Sequence, residues 1–259
     1  MDLSKITKNG KALFLAYDHG MEHGPADFDD ETIDPARIIE IADSGYFTGL
    51  ILQKGIAEKY YDKNRNKVPL IVKLNGKTNL LNETLEPYSP QLCSADEAIL
   101  LGASAVGYTV YIGSENESKM IAEFAKIEEE CQKKGLPLIG WMYPRGKAVV
   151  GKEHSKEILA YAARVGLETG AEMVKLPYTG DVESFKWVVQ AAGKTKVVVM
   201  GGQKMEEPEF LKYTEEIMST GAIGLAVGRN VWQSNDPLKI SNKLAEKILV
   251  IPASEPESI

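Results

Sequence analysis

Lys175 lies inside the apolar run Met173-Val174-Lys175-Leu176-Pro177. An amine in such a setting is either a counter-ion or a nucleophile toward a carbonyl. Side chains alternate along a strand, so Lys175 shares a face with Met173 while Val174 and Leu176 share the other. The aliphatic pair suits an outer, helix-packed face. That leaves Lys175 turned inward, where burying an ammonium is costly unless it is neutralised or paired. A lysine of ordinary pKa is neutral in about one molecule in 2500 at pH 7, and a depression of about three units, worth about 4 kcal/mol, makes it a competent nucleophile. Lys54 and Lys73 also stand at the ends of apolar runs and compete for this role, and a structural or substrate-pairing lysine is the alternative.

Trp141 and Tyr143, two apart, present an indole and a phenol to the same side of a strand, as core packing or as a proton-transfer pair. Asp18 ends the first apolar run and opens Asp18-His19-Gly20-Met21-Glu22-His23. Two histidines four apart with acidic neighbours resemble a metal cluster. That spacing is useful on a helix, however, whereas Gly20 and Gly24 predict a loop, and no HExxH is present. His19 is therefore expected to shape the loop or bond substrate, with no metal. Gly201-Gly202 and Gly228-Arg229 follow the seventh and eighth apolar runs, where barrels commonly hold phosphate. Backbone amides would bind the anion and Arg229 would add a bidentate charge; tight turns are the plainer reading of the glycines.

Eight strands must position these groups: residues 12–17, 49–53, 69–74, 105–111, 136–143, 172–177, 196–200 and 223–227. Helical stretches separate them, clearest over 117–134, 155–169, 181–192, 207–219 and 237–249. Asp34-Pro35 reads as an N-cap with proline at the first helical position, and Ser94-x-x-Glu97 as a capping box. The helix after the second strand is the least marked. Strands dense in Val, Ile and Leu, alternating with helices and lacking hairpin dipeptides, indicate a parallel sheet covered on both faces. Eight repeats favour a single-domain α/β fold, the (β/α)₈ TIM barrel, over an open doubly wound sheet, and neither GxGxxG nor GxxxxGK[ST] occurs. Barrel enzymes work at the C-terminal ends of their strands, where these candidates cluster. The predicted barrel spans 1–251 with a frayed tail over 252–259, and 77–93 is expected to loop over the barrel mouth.

Two cysteines without a CxxC pair give little support to a disulfide framework or thiolate zinc site, so Cys93 and Cys131 read as structural. A net charge of -7 argues against nucleic acid as a partner, though a local basic pocket remains compatible with it. No apolar run reaches membrane-spanning length and the polar start lacks a signal segment, so a cytoplasmic protein is expected.

Four stretches carry a family resemblance: Leu-Ala-Tyr-Asp-His-Gly-Met-Glu-His-Gly-Pro (15–25), Gly-Ile-Ala-Glu-Lys-Tyr-Tyr (55–61), Trp-Met-Tyr-Pro-Arg-Gly (141–146) and Val-Gly-Arg-Asn-Val-Trp-Gln (227–233). In order, and across nearly the whole chain, they resemble the archaeal-type class I fructose-1,6-bisphosphate aldolases. The resemblance implies reversible cleavage of fructose 1,6-bisphosphate to dihydroxyacetone phosphate and glyceraldehyde 3-phosphate, as in glycolysis and gluconeogenesis, with neither metal nor cofactor. It assigns Lys175 to the Schiff base, Tyr143 to proton transfer, Asp18 to the reacting centre, Trp141 to the adjacent wall, and Gly202, Gly228 and Arg229 to phosphate. His19, Lys73 and Gly201 complete the expected substrate-binding set. Met200 departs from the serine of many relatives. Homo-oligomers built on pentameric rings, up to decamers, are also implied. The alternatives are a transaldolase-like 2-amino-3,7-dideoxy-D-threo-hept-6-ulosonate synthase and a noncatalytic sugar-phosphate-binding protein.

Overall fold

Eight strands alternate with helices along the chain: β1 (Ala12–Tyr17), β2 (Gly49–Gln53), β3 (Leu70–Lys73), β4 (Ala103–Ile112), β5 (Leu138–Pro144), β6 (Met173–Leu176), β7 (Lys196–Met200) and β8 (Gly224–Val227). Each pairs in parallel with its successor, and β8 returns to β1 with Gly224 opposite Ala12, closing the barrel. The computed structural model describes residues 1–24, 27–80 and 86–250. The expected tail and part of the 77–93 loop lie outside these. The helices are α1 (Gly20–His23), α2 (Pro35–Ala42), α3 (Lys54–Tyr60), α4 (Ala95–Leu100), α5 (Glu117–Lys134), α6 (Lys156–Glu168), α7 (Val182–Ala191), α8 (Glu207–Ser219), α9 (Arg229–Trp232) and α10 (Pro237–Leu249).

Local signals act as their chemistry requires. Asp34 accepts from the Ala36 amide ahead of Pro35, and Ser94 and Glu97 form the reciprocal capping box. The two four-residue helices, α1 and α9, were not anticipated, because one turn is too short to leave a periodic signature.

Alternation sorts the strands into two apolar groups. Phe14, Ile51, Ile71, Ile139, Trp141, Met173 and Val198 fill the barrel, with Ile6 packed among them. Leu13, Leu15, Val72, Val174, Leu176 and Val199 face the helices. Val174 and Leu176 thus lie outside and Met173 inside, as the pattern around Lys175 predicted. Among the described residues, no helix is long and apolar enough to cross a membrane.

Trp141 occupies interior space that another strand vacates. A Cβ on Gly107 of β4 would lie 1.2 Å from Cζ3 of the indole. Gly107→Ala must therefore push the ring aside. The expected result is destabilisation of about 1–3 kcal/mol in a urea melt, with an altered near-UV CD spectrum. An unchanged spectrum would show that the ring does not need this space.

Candidate active site

The ten residues assigned to catalysis or substrate binding from the sequence converge on one cleft at the C-terminal ends of the strands. Lys175, Tyr143, Asp18, Trp141, His19, Lys73, Gly201, Gly202, Gly228 and Arg229 all line it, joined by Glu22, His23, Arg145 and Met200. Lys54 does not. It begins α3 on the exterior and pairs with Glu97 at 3.0 Å. Nor does Asn75. Its buried amide bonds the carbonyls of Ser89 and Thr109 and accepts from the Thr109 amide, clamping the chain after β3. The described part of 77–93 is irregular and returns at Gln91 to bridge Asn75.

Lys175 is 6% exposed, opposite Trp141 in the ladder, with its Nζ 5.2 Å from the indole centroid. Burial lowers its pKa from 10.5 to about 8; the Asp18 charge opposes this and the Lys73 charge reinforces it. Lys73 Nζ stands 3.4 Å from Asp18 Oδ2, both nearly fully buried. Burial alone would raise the Asp18 carboxyl, but Lys73 and Lys175 outweigh it and hold the group below the ordinary carboxylate range. Asp18 is an anion already paired by Lys73, so its pull on Lys175 is shared. This division separates the three lysines: Lys54 is a surface cation, Lys73 the counter-ion, and Lys175 the amine that burial pushes toward neutrality.

Tyr143 faces the same cleft. Burial first and the Asp18 charge second raise its phenol well above 10, against an opposing effect of Arg145. It is a proton donor at rest. The Arg145 guanidinium lies 5.7 Å from its ring centroid and 5.6 Å from that of Tyr111.

Arg145 and Glu22 are functional candidates that the sequence reading did not single out, although both lie within the quoted motifs. Glu22 accepts from Arg145 at 2.6 Å and from the Tyr111 hydroxyl at 3.0 Å, with Lys73 and Lys77 each 3.9 Å away. Burial would raise its pKa, but these cations together bring it below the usual carboxylate value. Two carboxylates, Glu22 and Asp18, among the three cations Lys73, Lys77 and Arg145 leave this side of the cleft with a net positive charge.

The opposite side is built from β7, β8 and α9. Gly202 adopts φ +72°, a left-handed conformation suited to glycine. The Gly201 amide is already used, donating to the Ala226 carbonyl at 2.8 Å, so it is no anion donor. Gly201 instead permits close approach, since a Cβ there would lie 3.1 Å from Val227 Cα. Asn230, also missed in the sequence, ties the loop together. Its amide bonds the Gly201 and Gln203 carbonyls at 2.8 Å each, and its oxygen accepts from the Met205 amide. Arg229 is held 3.3 Å from Asp27 and is part-exposed. Met200 brings a thioether to the cleft where a hydroxyl would have been a donor.

The first histidine loop is a helical turn, contrary to expectation. Gly20–His23 closes with Gly24 donating to Gly20. His19 stacks on Trp232 at 5.5 Å and 17°. The two cysteines are buried, with thiol pKa values raised by burial to about 11 at Cys93 and about 12 at Cys131, as expected of structural thiols.

Residues 12–234 match the family described as DeoC/LacD family aldolase. The chain is 52% identical over 246 residues to the fructose-bisphosphate aldolase class 1 of Thermoproteus tenax, covering 94% of this chain and 91% of that protein. It is 37% identical over 243 residues to the 2-amino-3,7-dideoxy-D-threo-hept-6-ulosonate synthase 1 of Archaeoglobus fulgidus, covering 93% and 87%. An archaeal fructose-1,6-bisphosphate aldolase, solved with its catalytic lysine covalently bound to the carbinolamine intermediate of the substrate, superposes with a TM-score of 0.91. Its sequence is 50% identical, and the match covers 96% of this chain and 98% of that one. The chain therefore belongs to the DeoC/LacD family of aldolases, within its archaeal-type class I fructose-bisphosphate aldolase group.

Proposed function

We propose that this chain cleaves fructose 1,6-bisphosphate reversibly to dihydroxyacetone phosphate and glyceraldehyde 3-phosphate through a Schiff base on Lys175. The observation that carries the reading is a buried amine with a lowered pKa, facing a cleft that holds cations on two opposite sides. One phosphate would sit against Gly202, Gly228 and Arg229, the other against Arg145 and Lys77, and Arg229 would exchange Asp27 for the anion. A noncatalytic sugar-binding protein would have no use for an amine whose pKa is lowered toward neutrality.

Neutral Lys175 adds to the ketone carbon to form a carbinolamine. The Tyr143 phenol protonates its hydroxyl, which leaves as water, so an iminium and a phenolate form together and compensate each other's charge. The raised pKa of the phenol dictates this order, because a neutral phenol must give a proton before it can take one. The phenolate then removes the C4 hydroxyl proton. The C3–C4 bond breaks, its electron pair flows into the iminium to give an enamine, and the aldehyde departs. The phenol protonates the enamine carbon. Water adds to the new iminium, returning its proton to Tyr143, and collapse of the carbinolamine frees dihydroxyacetone phosphate and Lys175. Asp18 orients the lysine and the sugar hydroxyls.

Incubation with fructose 1,6-bisphosphate and borohydride, followed by peptide mapping and a triose-phosphate assay, tests the assignment. An adduct on the peptide containing Lys175, together with triose phosphate, is expected; an adduct on Lys54 or Lys73 would overturn it. An adduct on Lys175 without triose phosphate would favour the ulosonate-synthase reading, which the 37% relationship supports. The proposal includes a cytoplasmic location and a ring-based homo-oligomer, which light scattering on the purified chain would test.

The pH profile tests the charge balance around the amine. Attack requires the neutral form, so kcat/KM should rise about tenfold per unit on the acid side and level off near pH 8. Lys73→Met removes a neighbouring cation and frees Asp18 to act on Lys175, so it should move this limb to higher pH. Asp18→Asn should move it lower. Substrate titration is common to all three proteins, so shifts in the same direction, or no shifts, would refute the arrangement.

A further inference from the structure

The turn at the start of α1 gathers three metal-ligating side chains that the aldol chemistry leaves largely unused. His19, His23 and Asp27 each offer a ligand atom, and all three atoms lie within 4.8 Å of one another. His23 Nδ1 is 2.8 Å from Asp27 Oδ2, and His19 Nε2 is 3.7 Å from the same oxygen. Ligands bound tetrahedrally to zinc at about 2.0–2.1 Å are about 3.3 Å apart, so these separations bracket the required spacing. His19 Nε2 is buried and without a hydrogen-bond partner, an arrangement that is costly for a polar atom unless something else binds it.

We propose that His19, His23 and Asp27 form a reversible binding site for a divalent transition-metal ion of the zinc class. Two imidazoles and a carboxylate are the donor set that zinc accepts. Three protein ligands would leave a fourth position for water or an anion oxygen. The surroundings support the arrangement. The Asp27 backbone carbonyl accepts from Gln233 at 2.6 Å, which anchors the residue independently of the 3.3 Å Arg229 pairing that a phosphate would replace. Glu22, although in the same turn, points away to Arg145 and Tyr111. The two cysteines are buried thiols and do not compete. The site is separate from the Schiff-base step, which needs no metal.

Zinc chloride titrated calorimetrically into the chelator-treated, tag-free chain should bind with one equivalent per chain. It should also change tryptophan fluorescence, because His19 stacks on Trp232. His23→Ala and Asp27→Asn, both at partly exposed positions, should each weaken binding by about tenfold or more while far-UV CD remains unchanged. Wild-type protein that binds no zinc at micromolar concentration, or a folded variant of either kind that binds it as tightly as wild type, would overturn the proposal.

Discussion

Lys175→Met is expected to lose turnover by on the order of 10⁴-fold or more, and borohydride should then trap nothing. The same substitution should stabilise the fold. The drop from 10.5 to about 8 means that burying the protonated amine costs about 3 kcal/mol at about 1.4 kcal/mol per unit. Below pH 8 the lysine carries its proton in both folded and unfolded chains, so the full cost applies at pH 7. Between pH 8 and 10.5 the unfolded chain binds more protons than the native one, and wild-type stability climbs. Methionine matches the length of the stem without its charge and sits beside Trp141, where a thioether packs well. Urea denaturation at pH 7 and pH 10 should show the variant more stable at pH 7 and the gap closing at pH 10. A variant less stable at both would mean that the ammonium is held by favourable contacts rather than merely tolerated. In that case the charge balance drawn for Asp18 and Lys73 would be wrong.

Tyr143→Phe is expected to reduce kcat and kcat/KM together by about 10²–10⁴-fold, the range for loss of a positioned proton carrier, with KM little changed. The phenyl ring keeps the packing, so stability should hold. Single-turnover trapping separates this role from binding. The adduct should still form on Lys175, but slowly, because dehydration of the carbinolamine lacks its acid. Trapping at the wild-type rate with slowed triose-phosphate formation would confine Tyr143 to the later C3–C4 step. Wild-type turnover would remove Tyr143 from the mechanism and give its place to a water.

Alternation is a local property, so the inward face of Lys175 could be read from its four neighbours, and the barrel confirms it through Val174 and Leu176 outside and Met173 inside. Long helices, caps and the eight apolar runs were legible for the same reason: each depends on residues within a turn or a strand of one another. Which of three lysines is nucleophilic was not legible from spacing, because the answer depends on burial and on charges that other strands supply. Lys54 proves part-exposed on α3 and paired with Glu97, and Lys73 is claimed by Asp18, 55 positions away in the chain. Motif resemblance pointed to Lys175 without giving the cause. Packing from different strands also made Gly107 a vacancy for Trp141, placed Glu22 between Arg145 and Lys73, and used up the Gly201 amide on Ala226. The two histidines show the division most clearly. Their glycine neighbours implied an open loop by local propensity, yet one short helical turn, with Asp27 returning beside it, brings His19 and His23 together. Long-range contacts to Trp232, Arg229 and Gln233 hold that arrangement, and no local pattern encodes them.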